Sequence, residues 1–230
     1  MERKQRFENY SSGGHDHNGN RNSYAGKLDF YTGMTDSSGR LTNIYTAGEF
    51  GGIEKIVVYL ADDTTLRDTA EIVVAIPGLA LLPESPYYLK VGGTKYHHGP
   101  PRYQDDHNHW GRDYLVQALQ LMAQAYYDRV GEIIRINDIS LPYGGQLDIC
   151  GTWDYRDGCD IARRGGHSSH RTGENADITG AQQGSRFQNE IVMDEIIVNL
   201  RDTLNLNISS PLERNVWHGN HYHFTITPRR

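Results

Sequence analysis

The sequence predicts an α+β protein in which a small antiparallel sheet is flanked by helices and preceded by a small β-rich module. Three observations support this fold class. The first third of the chain alternates apolar and polar residues in short runs, and two later segments repeat apolar residues at helical spacing. The last segment alternates histidines with aromatic and β-branched residues, as a half-buried strand does. Strands followed by this order of helix, strand, loop, helix and strand are typical of α+β domains.

The N-terminal part divides into a tail and a β-rich module. Residues 1–22 are polar and rich in Gly, Ser and Asn, so we expect a disordered tail with His15 and His17 in solvent. Residues 23–78 form the predicted module. Its alternating runs are residues 28–31, 41–47, 53–60 and 71–76, with turn signals between them.

Part of this module resembles a known type of domain. The run TDSSGR at residues 35–40 leads into TNIYTAG at residues 42–48, and together they resemble the C-terminal half of a bacterial immunoglobulin-like repeat. The segment is too short for a complete sandwich of about 7 strands. The resemblance therefore implies a partial module.

A linker and a larger domain follow. Residues 79–86 are punctuated by Pro83 and Pro86, which favours a linker, although their apolar content indicates that they pack against something. The domain is expected over residues 87–230. Its elements are a helix over residues 112–130 ended by Gly131, a strand over 133–141, a second helix over 187–206 and the final strand.

The final strand has a face of histidines. His218, His221 and His223 fall within six residues, and alternation places His221 and His223 on one face while Tyr222 and Phe224 pack beneath. A catalytic zinc takes three protein ligands and leaves a fourth position for water. One histidine and Asp177 of the upstream segment would complete such a set, so the pattern predicts a metallohydrolase. A solvated His-rich tail is the alternative, which the interleaved apolar residues disfavour.

The upstream segment contains His167, His170 and Asp177 in a stretch rich in Gly, Ser and Asn. Taken alone it is equally typical of a plain loop. Together, His-x2-His-x6-Asp and His-x2-His-x-His resemble the penicillin-insensitive murein endopeptidases, which belong to the lysostaphin-like and D-alanyl-D-alanine metallopeptidases. The motifs cover residues 165–226.

The resemblance implies a ligand set and a substrate. Zinc would be held by His170, Asp177 and His223, with His221 beside the zinc-bound water and His218 and His167 close by. A branch of this group uses a glutamate three residues before the last histidine as base, but Asn220 stands there. Glu213 is a weak candidate, so the resemblance implies a histidine as base, His221 or alternatively His218. The implied substrate is the peptide of bacterial peptidoglycan.

A second group of histidines precedes the first helix. His97, His98, His107 and His109 lie in a segment interrupted by Pro100 and Pro101. It could border the cleft as an accessory site, with His109 the strongest candidate. The alternative, which we favour, is that Asn108 or a neighbouring Asp caps the helix while the histidines face water.

The two cysteines suggest an oxidising compartment. Cys150 and Cys159 enclose a short Gly- and Asp-rich loop without CxxC spacing, which favours a disulfide over metal ligation. Two reduced, buried thiols are the alternative. No apolar segment follows the charged N-terminus, so no secretory signal is seen in the chain as given. We nevertheless expect a periplasmic or extracellular location.

Charge and hydropathy exclude other classes. The net charge of −6 argues against a nucleic-acid-binding protein, and no stretch approaches the length of a membrane span. The oligomeric state is not indicated. Three functions remain: a zinc endopeptidase that cuts peptidoglycan cross-links, a zinc D-alanyl-D-alanine carboxypeptidase or dipeptidase, and a non-catalytic cell-wall-binding protein. The complete ligand set disfavours the third.

Overall fold

A computed structural model describes residues 2–12, 26–91, 108–145, 168–182, 185–215 and 219–229. The chain forms two compact units, Met1–Ala75 and Ile76–Arg230. Strands predominate in both units, and the described helices belong to the second unit. The protein is therefore of mixed α+β class, as its sequence pattern predicts.

The N-terminal unit is built from antiparallel strands. Its elements are β1 (Lys4–Ser12), β2 (Lys27–Leu28), β3 (Thr32–Met34), β4 (Tyr45–Thr46), β5 (Gly52–Leu60) and β6 (Arg67–Val74). A four-stranded sheet has the order β3-β1-β5-β6, and β2 pairs with β4. The long strand β5 lies inside this sheet between β1 and β6, as expected from its run of β-branched residues.

Strand β1 corrects the expectation of a disordered tail over residues 1–22. Lys4–Ser12 pairs with β5 along eight residues, from Gln5 opposite Leu60 to Ser12 opposite Ile53, and with β3 on its other side. Backbone pairing on both edges stabilises a strand whose side chains are mostly polar. The sequence pattern missed it because the partners of β1 lie far along the chain.

The second unit contains the helices and a larger sheet. Its elements are β7 (Leu79–Leu81), β8 (Tyr88–Lys90), β9 (Trp110–Arg112), α1 (Asp113–Val130), β10 (Ile134–Ile136), a 3₁₀ turn (Ser168–Thr172), β11 (Asn175–Thr179), α2 (Glu190–Thr203), β12 (Leu206–Ser209), β13 (Leu212–Asn215) and β14 (Gly219–Pro228). The sheet order is β12-β14-β11-β10-β8, with β13 also paired to β14. A separate pair joins β7 and β9.

The sheet is not wholly antiparallel, which corrects the predicted architecture. β8 runs parallel to β10, with Tyr88 opposite Ile134, while the other pairs in this sheet are antiparallel. The connection from β8 to β10 includes α1, and a crossover of this kind is what parallel pairing requires. The predicted strand over 133–141 is also shorter, since β10 spans Ile134–Ile136.

Helix α1 confirms the helix predicted over residues 112–130. Leu115, Leu119, Met122 and Tyr126 are buried along one face, as their spacing requires. Gly131 ends the helix in the left-handed conformation, with φ of 77°. The expected cap by Asn108 is wrong, because the residue before the helix is Arg112 and it makes no side-chain cap.

Helix α2 confirms the second predicted helix but begins at Glu190, three residues after the predicted start at Phe187. Asn189 caps it by accepting a hydrogen bond from the backbone N–H of Val192 at 3.1 Å. Phe187 instead stacks on Tyr222 with ring centroids 4.3 Å apart. Neither of the described helices is long and apolar enough to cross a membrane.

The core of the second unit lies between the helices and the sheet. It joins buried residues of α1, α2, β10, β11 and β14, including the predicted inner residues Tyr222, Phe224 and Ile226. The predicted linker over 79–86 is corrected. Part of it is strand β7, and Leu82 is fully buried in the same core, as the apolar content of the segment indicated.

Candidate metal centre

Two neighbouring strands present the first part of the centre. In the antiparallel pair of β11 and β14, Asp177 stands opposite His223, and Asn175 stands opposite Thr225. Residues directly opposite share a face of the sheet. The alternate residues Ala176 and Phe224 are buried in the core, so the polar residues occupy the other face.

The 3₁₀ turn supplies His170 to this face. Gly173 leaves the turn with φ of 70°, and a side chain there would meet the backbone N of Arg112 at 3.2 Å. The N–H of Arg112 donates to the carbonyl of Gly173 at 2.8 Å, which holds the end of the turn against β9. Only glycine fits this close approach without strain, and it fixes the entry of the chain into β11.

Three side chains converge at the centre. His170, Asp177 and His223 each offer one ligand atom, and these atoms lie within 4.8 Å of one another. Oδ1 of Asp177 is 3.3 Å from Nε2 of His170 and 2.8 Å from Nδ1 of His223. The two imidazole rings are nearly perpendicular, at 84°. Two imidazoles and a carboxylate in this arrangement could hold a metal ion.

The remaining ring nitrogens are fixed by protein oxygens. Nδ1 of His170 donates to the carbonyl of Ile139 at 2.8 Å. Nε2 of His223 is 3.2 Å from the amide oxygen of Asn175, which also accepts the hydroxyl of Thr225 at 2.8 Å. A metal-binding histidine usually donates its other N–H in this way, which fixes its tautomer and the direction of its ring. The arrangement therefore fits a metal centre.

Burial and charge act together on His170. Burial lowers the pKa of this fully buried histidine, but the nearby charge of Asp177 and its hydrogen bond outweigh that effect and raise the pKa above its ordinary value. Asp177 is itself buried, and its carboxylate faces histidines on two sides. The protein thus places a negative charge beside imidazoles in a region shielded from water, where a cation is favoured.

His221 lies next to the three converging side chains. Its Nε2 is 3.7 Å from Oδ2 of Asp177, the carboxylate oxygen that does not face His170 or His223. The same nitrogen is 3.3 Å from Oε2 of Glu213 on β13. About a tenth of the His221 side chain is exposed, 10%, compared with 14% for His223.

The structure brings together His170, Asp177, His223 and His221. His109 is fully buried, and its Nε2 is 3.1 Å from the carbonyl of Ile136. The expectation that the histidines of this segment face water is therefore wrong for His109, and the described metal group does not include it. The predicted residues outside the described ranges are His167, His218, His97, His98, His107, Cys150 and Cys159.

The sequence pattern did not indicate Asn175 as part of the centre and gave only weak support to Glu213. Asn175 lies two residues before Asp177, and the period of a strand would have placed both on the same face. Glu213 was a weak candidate because it is ten residues before His223. Its position opposite His221 depends on the pairing of β13 with β14, which the sequence does not display.

A scan against protein-family models finds no match, and a search of curated proteins finds none either. The resemblance to the murein endopeptidases therefore rests on the spacing of five histidines and Asp177 in the sequence.

Proposed function

We propose that the chain is a zinc metallopeptidase that hydrolyses peptide cross-links of bacterial peptidoglycan. The observation that carries this proposal is the convergence of His170, Asp177 and His223 with a further histidine, His221, beside them. The metal-dependent hydrolysis is argued from these side chains. The substrate class comes from the resemblance of the two motifs to the murein endopeptidases.

The donor set supports zinc as the metal. Imidazole suits zinc and other first-row metals, whereas calcium and magnesium prefer sites made of oxygen ligands. Two ligands at about 2.0–2.1 Å from a tetrahedral ion lie about 3.3 Å apart. The separation of 3.3 Å between Asp177 and His170 equals this value, whereas the 2.8 Å between Asp177 and His223 is a hydrogen-bond length and would have to widen by about half an ångström around an ion. Three protein ligands leave a fourth position for water, as catalytic zinc sites require.

The neighbouring residues have separate roles in the proposed reaction. Zinc lowers the pKa of a water bound to it to about 7 and polarises a carbonyl oxygen. His221 takes a proton at Nε2 from the water that attacks the peptide carbonyl, and passes it to the amine that leaves when the C–N bond breaks. Asp177 offsets part of the charge of the ion. Asn175 fixes the orientation of the His223 ring, and the carbonyl of Ile139 fixes that of His170.

The proposed location follows from the substrate. Peptidoglycan lies outside the cytoplasmic membrane, so the protein is proposed to act in the periplasm or outside the cell. The expected disulfide between Cys150 and Cys159 would be stable in such a compartment.

Digestion of purified peptidoglycan by the zinc-loaded protein tests the proposal. The released muropeptides are weighed by mass spectrometry, with His223→Ala treated identically as the control. New free ends at cross-links are expected from the wild type and not from the variant. Loss of a terminal residue alone would instead assign the carboxypeptidase function. Release of neither product by protein shown to contain zinc would overturn the proposal.

A further inference from the structure

Two consecutive backbone carbonyls, those of Asp138 and Ile139, bond to residues of the metal centre. The carbonyl of Ile139 accepts from Nδ1 of His170 at 2.8 Å, and the carbonyl of Asp138 accepts from the backbone N–H of Asp177 at 2.9 Å. The carbonyl of Asp177 accepts in turn from the N–H of Asn137 at 2.7 Å. The positions of two of the three proposed ligands therefore depend on this short segment that follows β10.

Asn108 bonds to the same segment from its other side. Nδ2 of Asn108 donates to Oδ1 of Asp138 at 2.7 Å, and the backbone carbonyl of Asn108 accepts from the N–H of Ile139 at 2.8 Å. One residue is thus bonded to both residues whose carbonyls face the metal centre. The N–H of Trp110 donates to the carbonyl of Ser140 at 3.1 Å, which continues the contact into strand β9.

The side-chain bond between Asn108 and Asp138 is buried. Asn108 is fully buried, and Asp138 is 8% exposed. Burial of an amide and a carboxylate is costly unless they are hydrogen-bonded, and a bond to a charged acceptor is stronger than one between neutral groups. Because bulk water does not reach this position, removal of the Asn108 side chain takes away a donor that solvent cannot easily replace.

We propose that Asn108 is a positioning residue of the metal centre, which it orients through Asp138 and Ile139. This inference rests on the proposed function, because it assumes that the centre binds zinc. An asparagine suits the role, since its amide donates to a carboxylate without adding a charge while its backbone carbonyl remains available for the N–H of Ile139. The carbonyls of Asp138 and Ile139 then keep Asp177 and His170 in place.

Three variants of the full chain separate this role from a general loss of stability. Asn108→Ala removes the bond to Asp138. Asp138→Asn is the conservative variant, because it keeps an oxygen that can accept from Asn108. Asn189→Ala is the control, since Asn189 also uses its side-chain amide within the second unit but caps helix α2, where it accepts from the N–H of Val192 at 3.1 Å.

Two metals serve as probes of these variants. Competition with a chelator measures the zinc affinity, and Co²⁺ in place of zinc reports the ligand geometry through its visible absorption spectrum. For Asn108→Ala we expect zinc to bind about 10-fold to 100-fold more weakly, the usual effect of removing a group that orients metal ligands, and the cobalt spectrum to change. Asn189→Ala should match the wild type in both measurements. Asp138→Asn should keep the wild-type cobalt spectrum, because its bond with Asn108 is retained.

Hydrogen exchange of the unaltered protein gives a test that does not require Asn108→Ala to fold. If the segment and the centre are coupled, zinc stabilises the segment in its bonded position. Zinc should therefore slow the exchange of the N–H of Ile139, which bonds to Asn108, by a larger factor than that of Val192 in helix α2. Residue-level exchange rates with and without zinc provide the comparison.

Several outcomes would overturn the role of Asn108. They are equal slowing of exchange at Ile139 and Val192, zinc affinity of Asn108→Ala equal to that of Asn189→Ala, and a cobalt spectrum altered as much by Asp138→Asn as by Asn108→Ala. A wild type that binds no zinc would overturn both this inference and the proposed function. A wild type that binds zinc but cuts no muropeptide would overturn the proposed function alone, because none of these readouts uses a peptide substrate.

Discussion

Two histidines of strand β14 lie two residues apart and have different predicted roles. His223 faces Oδ1 of Asp177 at 2.8 Å within the group of three donors, whereas His221 is 3.7 Å from the other oxygen. His223→Ala should therefore empty the metal centre. His221→Ala should keep the metal and lower the turnover by roughly 100-fold to 10,000-fold, as expected for a general acid or base. Elemental analysis and muropeptide assays of both variants check this prediction, which fails if His221→Ala loses its metal.

Asn175 is predicted to control the metal affinity through His223. Its amide oxygen accepts from Nε2 of His223 and from the hydroxyl of Thr225. Asn175→Ala should weaken zinc binding by about 10-fold to 100-fold, because the ring loses the oxygen that orients it. Thr225→Val is the control, since it removes the other bond to the same oxygen. Competition with a chelator measures both affinities. An equal loss in the two variants would contradict the assigned role.

The spacing of residues predicted which donors meet, but not which groups support them. His170, Asp177 and His223 could be predicted because their motif spacing resembles that of a known family. Glu213 could not be assigned, because its approach to His221 depends on the register of β13 against β14. The acceptor for Nδ1 of His170, the carbonyl of Ile139, could not be predicted either, because every residue has a backbone carbonyl and the residue type does not show which one is used.

At the scale of secondary structure, elements with a local periodic pattern were predictable and elements that depend on distant partners were not. Helices α1 and α2 follow apolar residues three and four apart, so their existence was predicted and only their ends shifted. Strand β1 was missed because its polar residues resemble a tail and its main partner, β5, begins forty residues later. The parallel pairing of β8 with β10 was likewise missed, as it is decided by the crossover that includes α1.

Strand β5 has a buried carboxyl group that should make the stability of the N-terminal unit depend on pH. Burial raises the pKa of Glu54, although the backbone of Gly26 and the hydroxyl of Tyr45 oppose the shift. A carboxyl whose pKa is higher in the folded than in the unfolded protein stabilises the fold fully below the unfolded pKa. That contribution is lost as the pH rises through the folded pKa. At pH 8 the free energy of unfolding of this unit should therefore be lower than it would be with a protonated carboxyl at Glu54.

Substitution of Glu54 by glutamine tests this expectation. Glu54→Gln cannot ionise, so its free energy of unfolding should exceed that of the wild type at pH 8, and the difference should shrink at pH 4. Urea unfolding at both pH values gives the comparison. Glu71→Gln is the control, because Glu71 is exposed on β6 and paired with Lys55 at 2.8 Å. A difference between Glu54→Gln and wild type that is the same at both pH values would disprove the assignment.

At the scale of the whole molecule, the second unit holds the described metal group and its own hydrophobic core. The core residues from Leu82 to Ile226 all belong to this unit. The backbone N–H of Ile76 donates to the carbonyl of Tyr143 at 2.9 Å, which attaches Ile76 to the second unit. A truncated protein should therefore begin at this residue. We predict that residues 76–230 alone fold and bind zinc with the affinity of the full chain. Circular dichroism and chelator competition measure this, and an unfolded or zinc-free product would contradict it.

Strand β14 contributes side chains both to the hydrophobic core and to the metal centre. β14 is hydrogen-bonded to β11, β12 and β13, and its successive side chains point alternately to the core and to the metal centre. A slip of one residue in its pairing would exchange the two faces. Tyr222 and Phe224 would then enter the polar face while His221 and His223 were forced into the core. A misfolded form with this slip would lose apolar packing and metal affinity together, so zinc in the growth medium should favour recovery of the correctly paired chain.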